Sequence, residues 1–236
     1  MVWSCLVSIL PGMAQTEKLT DYVNPFVGTD GYGNVYPGAQ IPFGGIQISP
    51  DTDSRFYDAA SGYKYNHLTL MGFSLTHLSG TGIPDLGDFL FIPGTGEMKL
   101  EPGTHEDPDQ GYRSRYSHDK EWASPNYYAV ELADYGVKAE MTSGVRSGMF
   151  RFTYPESDNA FIMIDMNHTL WQSCEWSNLR MINDSTITGY KLVKGWGPER
   201  HVYFTATFSK KLTGLRFVQD KKPVIYNTCL LYTSPS

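Results

Sequence analysis

The sequence has few cysteines and no long apolar run. Of its three cysteines, Cys5 lies near the start and Cys229 near the end, which leaves Cys174 as the single cysteine in the body of the chain. One such residue forms no disulfide framework, so an oxidising compartment is neither required nor excluded. No apolar stretch reaches the roughly 18 residues that a membrane-spanning helix needs. The sequence therefore predicts no membrane span.

The chain also lacks an excess of positive charge. It carries 19 Lys and Arg against 25 Asp and Glu, a formal net charge of −6. Nucleic acids and anionic membranes attract basic surfaces, so neither is expected as a partner. A neutral ligand is the natural expectation, and a sugar fits it.

Aromatic residues are plentiful. Sixteen Tyr and twelve Phe in 236 residues favour strands over helices. Apolar and polar residues alternate over 128–132, 137–142, 150–154 and 202–208, which is typical of antiparallel strands with one solvated face. The fold prediction is all-β, an antiparallel β-sandwich. The continuous apolar run 161–164 predicts a strand buried on both faces.

The front of the chain, residues 21–99, is different in character. Gly and Pro interrupt short apolar runs and separate His, Asp, Asn and Ser side chains. Such a pattern is typical of a ligand surface built from loops on a β scaffold. Residues 101–119 are polar and charged, and we expect them to form an exposed loop.

Four carboxylates in these loops are candidates for acid–base chemistry or metal binding. Asp51, Asp53, Asp85 and Asp88 offer the paired carboxyls that glycoside hydrolysis requires, although Asp in Gly/Pro loops commonly forms Asx-turns with its own backbone. The order Asp51-Thr52-Asp53 hints at calcium but does not continue as an EF-hand loop. The six His show no HExxH or Cys partner, so the sequence predicts no zinc site.

Two further side chains are candidates for contact with a sugar. His77, among small residues and glycines, can donate to a sugar hydroxyl or can bond a backbone carbonyl as a structural residue. Trp196, in Gly195-Trp196-Gly197, can stack on a pyranose or can pack against another domain. Trp171 and Trp176 have the same ambiguity.

Three ordered phrases in the front half carry a family resemblance. NPFVGTDGYGNVYPGAQIPFG, SGYKY and SLTHLSGTGIPDLGD occur in the order used by the N-terminal domain of glycoside hydrolase family 92, and the chain resembles that domain. The family consists of calcium-dependent exo-α-mannosidases. The resemblance implies an inverting enzyme that removes terminal α-linked mannose from glycans, with an (α/α)6 toroid following the sandwich.

In the family that the chain resembles, the catalytic acid, the base and the calcium ligands lie in the toroid. The resemblance therefore implies no catalytic residue and no metal ligand in this chain, which alone should be inactive. The sandwich is expected to supply part of the pocket wall. The residues expected to contact the sugar are Phe26, Gly28, Asn34, His77, Gly80, Asp85 and Trp196.

The ends of the chain differ from its body. Residues 1–20 are interpreted as a truncated signal peptide, with a short apolar stretch and a possible cleavage point near Ala14 but no basic region. Residues 21–226 form the predicted sandwich domain. Residues 227–236 do not continue its patterning and are interpreted as a non-native tail. Export to the periplasm, the cell surface or the medium is the expectation.

Two other functions are compatible with these features. A non-catalytic carbohydrate-binding sandwich would place its tryptophans on an exposed, flat platform. A structural domain would use the Gly/Pro loops to dock a partner domain. We expect burial to discriminate, because a concave cluster of the predicted residues favours the enzyme and scattered positions favour docking.

Overall fold

The computed structural model describes residues 17–54, 59–213, 216–219 and 222–224. Over these residues the chain forms strands, loops and three 3₁₀ turns, and no α-helix is present in this part. The turns are Leu19–Tyr22, Pro108–Gln110 and His118–Lys120. No helix in the described ranges is long and apolar enough to cross a membrane. The predicted leader (apart from residues 17–20) and the predicted tail lie outside these ranges.

Fifteen strands occupy the described residues. In chain order they are β1 (Ser49–Asp51), β2 (Thr69–Leu70), β3 (Gly72–Ser74), β4 (Leu90–Thr95), β5 (Ser114–Arg115), β6 (Glu121–Ser124), β7 (Tyr127–Leu132), β8 (Val137–Ser143), β9 (Gly148–Thr153), β10 (Ala160–Asp165), β11 (Ser173–Asn183), β12 (Thr186–Lys194), β13 (Arg200–Thr207), β14 (Phe217–Gln219) and β15 (Lys222–Val224).

Every strand pairing in these sheets is antiparallel. One four-stranded sheet has the order β1-β3-β4-β10, and a second is the meander β6-β7-β8-β9. The long strands β11, β12 and β13 form a third sheet, and β2-β5 and β14-β15 are two-stranded ribbons. The predicted all-β antiparallel fold is confirmed, and the alternation at 128–154 corresponds to β7, β8 and β9.

Aromatic side chains hold the two four-stranded sheets together. Phe73 of β3 lies 6.4 Å from Phe150 and 6.3 Å from Phe152 of β9, measured between ring centroids. Phe91 of β4 lies 5.2 Å from Phe150. The same core includes the inward residues of the meander, Tyr128, Val130, Leu132, Val137, Ala139 and Met141. The alternation of apolar residues in the sequence thus produces the inner face of a sandwich.

The third sheet packs on the first through another aromatic cluster. The Phe204 ring of β13 lies 4.5 Å from Phe89 and 6.0 Å from Phe91. Phe204 also faces Gly189 on β12, where an added Cβ would meet the ring at 2.0 Å. Glycine at this position therefore lets the ring lie flat over the neighbouring strand.

Two details of the sequence interpretation are wrong. The apolar run 161–164 belongs to β10, which lies at the end of its sheet and is only partly buried, because β4 is its one strand partner in the described residues. Residues 101–119 are not wholly exposed, since Tyr112, Arg113 and Ser114 are buried where the loop returns to form β5.

The loop around Gly38 and Ala39 lies very close to the backbone of residues 48–49, at the start of β1. Ala39 and Ile48 exchange two backbone hydrogen bonds of 2.8 and 3.1 Å. A Cβ on the preceding Gly38 would lie 2.1 Å from the Ile48 carbonyl oxygen and 2.6 Å from the Ser49 Cα. Only glycine allows the loop to lie against β1 in this way.

Gly38→Ala should therefore destabilise the fold by about 1–3 kcal/mol, because the added methyl meets backbone atoms that cannot move independently. Urea denaturation followed by tryptophan fluorescence measures the change. Gly82→Ala is the matched control, since its Cβ would meet nothing within 4 Å. Equal stabilities of the two variants would contradict this account of Gly38.

Candidate functional site

The three phrases that carry the family resemblance contact one another in the folded chain. The backbone N–H of Tyr65 donates to the Thr29 carbonyl at 2.9 Å, and that of Gly80 donates to the Asn34 carbonyl at 2.7 Å. Gly62 lies so close to Asp51 that an added Cβ would be 2.2 Å from the carboxylate oxygen. Loops distant in sequence thus form one continuous surface at the front of the sandwich.

His77 lies beneath this surface and is only 3% exposed. Its Nδ1 is 2.7 Å from the Gln47 carbonyl oxygen, and its Nε2 is 2.7 Å from Asp51 Oδ1 and 3.1 Å from the Ser74 hydroxyl. Both ring nitrogens therefore already have protein partners. This geometry corresponds to the structural alternative for His77.

Asp51 is the centre of this buried network. Its second oxygen, Oδ2, lies 2.7 Å from Nε2 of His168, and the carboxylate side chain is completely buried. Burial raises the pKa of this carboxyl, but the charge of His77 and the hydrogen bonds from His168 and His77 outweigh it and hold the pKa below its usual range. The carboxylate thus ties β1 to two loops from different parts of the chain.

Asp88 is the centre of a second buried network. Lys191 Nζ lies 3.0 Å from Asp88 Oδ1, Arg200 bonds Oδ2, and the Thr76 hydroxyl donates to Oδ2 at 2.6 Å. Burial raises the pKa of Asp88, while the Lys191 and Arg200 charges and the Arg200 and Thr76 hydrogen bonds lower it to a net value below the ordinary range. Paired in this way, Asp88 stabilises the loop and is not available as a general acid.

Lys191 joins the two networks. Its ammonium group is fully buried and also donates to the His168 carbonyl at 2.6 Å. Because His168 binds Asp51, one continuous chain of polar contacts links the third sheet, the front loops and β1.

Asp85 and Trp196 lie together at the outer edge of this region. The Trp196 backbone N–H is 3.3 Å from Asp85 Oδ2, and the N–H of the next residue, Leu86, donates to Oδ1 at 2.6 Å. An Asx-turn would instead bond the N–H two residues on. Arg200 Nη2 lies 3.9 Å from Asp85 Oδ1. The Trp196 side chain is 59% exposed. Asp85 therefore positions a loop that presents an aromatic face to solvent.

Strained backbone is concentrated around the same loops. Leu86, Phe89 and Trp171 have φ angles of 75°, 58° and 100°, which bulky residues rarely adopt. The Leu170 N–H donates to the Leu86 carbonyl at 3.0 Å, so Trp171 lies beside this segment, and its side chain is 53% exposed. Backbone strain of this kind occurs preferentially at functional sites.

The remaining predicted residues are connected through backbone and ring contacts. The Phe26 ring meets Tyr65 edge-on at 5.7 Å, and Gly28, at φ 84°, accepts a hydrogen bond from Val35. Asn34, at φ 50°, accepts from Gly80. These contacts are distinct from the hydrogen bond that joins Asp85 to Trp196.

Two cavities lie elsewhere. One of about 350 Å³ is lined by residues such as Thr95, Asp109 and Tyr135, and one of about 400 Å³ by residues such as Leu68, His105 and Tyr116. Neither is lined by a predicted sugar-contacting residue.

Sequence reasoning did not select Lys191, Arg200 or His168. A signal for Lys191 was present, because Ile187, Gly189 and Val193 mark the inward positions of β12 and Lys191 shares their period. A lysine at an inward strand position requires a buried anion. Nothing local indicated Arg200 or His168, since their carboxylate partners lie 112 and 117 residues away in sequence.

Calcium finds no fitting donor set among the residues described. Asp51 and Asp88 are occupied by cationic or imidazole partners, and calcium needs six to eight oxygen ligands. In the described ranges, the side chains of Asp53, His67 and His105 are the one group of three potential ligands within 4.8 Å, and two of them are imidazoles.

Comparison with known proteins identifies the family. Residues 22–229 match the Glycosyl hydrolase family 92 N-terminal domain. The chain belongs to this family. Its fold is similar to that of the family GH92 alpha-mannosidase BT3965 from Bacteroides thetaiotaomicron, with 95% sequence identity and a TM-score of 0.89 over 92% of this chain and 30% of that chain.

Other relatives agree. The GH92 family glycosyl hydrolase ccman5 is 26% identical, with a TM-score of 0.76 over 91% of this chain and 29% of that chain. An uncharacterized secreted glycosidase from Arthroderma benhamiae is 30% identical over 139 residues, which cover 58% of this chain and 17% of that protein. This chain therefore spans less than a third of the length of each of these relatives.

Asp51→Asn tests the buried network. We expect it to lower the free energy of unfolding by about 3 kcal/mol at pH 7, because the amide cannot replace a charge that meets two imidazoles. A carboxyl whose pKa is lowered by folding stabilises above its unfolded pKa of about 4, and this contribution is lost as the pH falls toward the folded value.

The deficit should therefore shrink between pH 5 and pH 3, as measured by urea titrations at each pH. Asp158→Asn, at an exposed position, is the control and should change stability by less than about 0.5 kcal/mol. A deficit of the same size at pH 3 and pH 7 would show that the Asp51 charge does not contribute.

Proposed function

We propose that the protein carrying this chain is an inverting α-mannosidase that hydrolyses terminal α-linked mannose. The support is the family membership together with 95% identity to a GH92 alpha-mannosidase over 92% of this chain. In this proposal the GH92 domain binds and positions the glycan, and the acid and base belong to a further domain. None of the buried carboxylates described above offers a free acid–base pair.

The observation that carries the proposed role of this domain is the exposed Trp196 held over Asp85. A backbone N–H bonded to a buried carboxylate fixes the loop, and an added Cβ on neighbouring Gly195 would lie 2.4 Å from the Gln172 side chain. Gln172 follows Trp171, so the loops that carry the two exposed tryptophans contact each other. Preorganised aromatic faces bind sugars at little entropic cost.

The further domain would complete the site. The face that carries Asp85 and the 59% exposed Trp196 side chain needs a second wall to enclose a sugar. We propose that this face is part of the wall of a pocket formed between the two domains. Export of the protein and dependence on calcium, with ligands outside the residues described, are part of the same proposal.

The second candidate is a carbohydrate-binding module without a catalytic role. The exposure of Trp171 and Trp196, 53% and 59%, favours it, because an aromatic platform binds glycans without a catalytic partner. The two candidates differ in kinetics, since loss of a pocket wall lowers turnover of a small disaccharide, whereas loss of a remote platform does not.

Trp196→Ala in the complete enzyme should lower kcat/KM for an α-mannobiose at least about tenfold, equivalent to about 1.4 kcal/mol of transition-state binding. Release of mannose measures it. Trp122→Ala is the matched control, because Trp122 is also exposed, at 45%. It lies on β6, in the sheet β6-β7-β8-β9, whereas Trp196 lies between β12 and β13. A value of kcat/KM equal to that of the control would support the binding-module alternative.

The 236-residue chain alone should release no mannose from an α-mannobiose, with or without calcium, because it offers no convincing acid–base pair. The complete enzyme, assayed alongside, should be active with calcium and lose activity when a chelator removes it. Calcium-dependent turnover by the 236-residue chain would overturn the proposed division of roles and would make Asp85 and Asp88 the first carboxylates to replace.

A further inference from the structure

Two histidines and an aspartate from three separate loops meet in the folded chain. Asp53 follows β1, His67 precedes β2, and His105 lies in the loop after β4. Each offers one potential metal-ligating atom, and all three atoms lie within 4.8 Å of one another. The imidazole rings of His67 and His105 are 4.0 Å apart, between centroids.

The contact between His105 and Asp53 is not that of a hydrogen bond. Nε2 of His105 lies 3.3 Å from Asp53 Oδ2, yet this buried nitrogen has no hydrogen-bond partner. Zinc bonds N and O ligands at about 2.0–2.1 Å, so two ligands of one tetrahedral ion stand about 3.3 Å apart. The separation therefore fits two ligands that share a metal.

Each imidazole is oriented by a threonine hydroxyl. Nδ1 of His105 lies 2.9 Å from Thr69 Oγ1, and Nδ1 of His67 lies 3.0 Å from Thr52 Oγ1. The Thr52 hydroxyl also accepts the Lys64 N–H, so its own hydrogen can go to the Gly62 carbonyl while it accepts from His67. With the hydrogen on Nδ1, the Nε2 lone pair is directed to a metal, as it is in metal-bound histidines whose other ring nitrogen bonds a neighbouring group.

The charges and access around the cluster are compatible with a cation. Asp53 is only 3% exposed. Glu106 and His105 both line the adjoining cavity of about 400 Å³. The Arg113 guanidinium bonds Thr52 and Thr69 and opposes a cation. Arg115 also lines the cavity, but its charge is paired with Asp109 and Asp134. The cavity provides an entry path and room for a water as fourth ligand.

We propose that Asp53, His67 and His105 form a zinc site with a fourth position open to the cavity. Two imidazoles and one carboxylate suit a borderline transition metal, whereas calcium prefers oxygen ligands alone. The three ligands include none of the predicted sugar-contacting residues. These ligands would join the loop after β1 to the loop after β4.

Zinc titration of the chelator-stripped, complete protein by calorimetry tests this proposal, with calcium present to fill sites for hard cations. We expect His105→Gln and His67→Gln each to lose one equivalent of bound zinc relative to the wild type. His201→Gln is the matched control, because His201 is exposed on β13 and contacts Glu199 and Tyr190 instead. Cobalt at the same site should give a visible absorption band that the two ligand variants lack.

Thr69→Val covers the case in which a ligand variant fails to fold. It keeps all three ligands and removes only the hydroxyl beside His105 Nδ1, so zinc binding should weaken about 10- to 100-fold. Zinc stoichiometry and cobalt absorption in the ligand variants equal to those of His201→Gln would overturn the proposal, as would unchanged zinc affinity in Thr69→Val. Both readouts are independent of mannosidase activity, so failure here leaves the proposed function untouched.

Discussion

The burial of two carboxylates beneath the front loops determines how the rest of this region is built. A charge removed from water must be met by donors within the protein, or its burial costs several kcal/mol. Asp51 meets this requirement with two imidazoles and Asp88 with Lys191, Arg200 and Thr76. These donors come from the loop that holds Thr76 and His77, from the loop after β10, and from β12 and β13, so satisfying the two charges fixes the relative positions of these sheets and loops.

The buried network also positions the exposed loops that lie above it. Arg200, which bonds Asp88, lies 3.9 Å from Asp85, and the Lys191 ammonium group lies 5.2 Å from the ring centroid of Phe89, whose backbone is strained. Strained backbone persists only where the surrounding contacts over-determine it. The buried ion pairs thus allow an open, loop-built surface to keep one conformation without a ligand.

The sequence predicted the sandwich well because its evidence is local. Alternation over a few residues specifies which face of β7, β8, β9 and β13 turns inward, and the aromatic content favours strands. It failed for 161–164, because an apolar run does not distinguish a central strand from an edge strand whose cover lies elsewhere. Strand position within a sheet is a property of pairing, which the run itself does not encode.

Side-chain partnerships were beyond sequence reasoning for the same reason. His77 was singled out, but its partner Asp51 lies 26 residues away and places the imidazole under the surface, not on it. Asp53, His67 and His105 show no motif spacing, and only the folding of three loops brings them together. Lys191 is the exception, because it shares the two-residue spacing of the inward positions of β12, and this spacing is a local signal for a buried and therefore paired lysine.

The link between Asp51 and His168 also has a consequence for synthesis of the chain. The two residues are 117 positions apart, and a ribosome adds about 5–20 residues per second. For roughly 6 to 23 s the newly made front loops therefore carry a carboxylate whose second imidazole partner does not yet exist. The front of the domain acquires its final arrangement only after the strand order is nearly complete, so the loops that emerge first are among the last to settle.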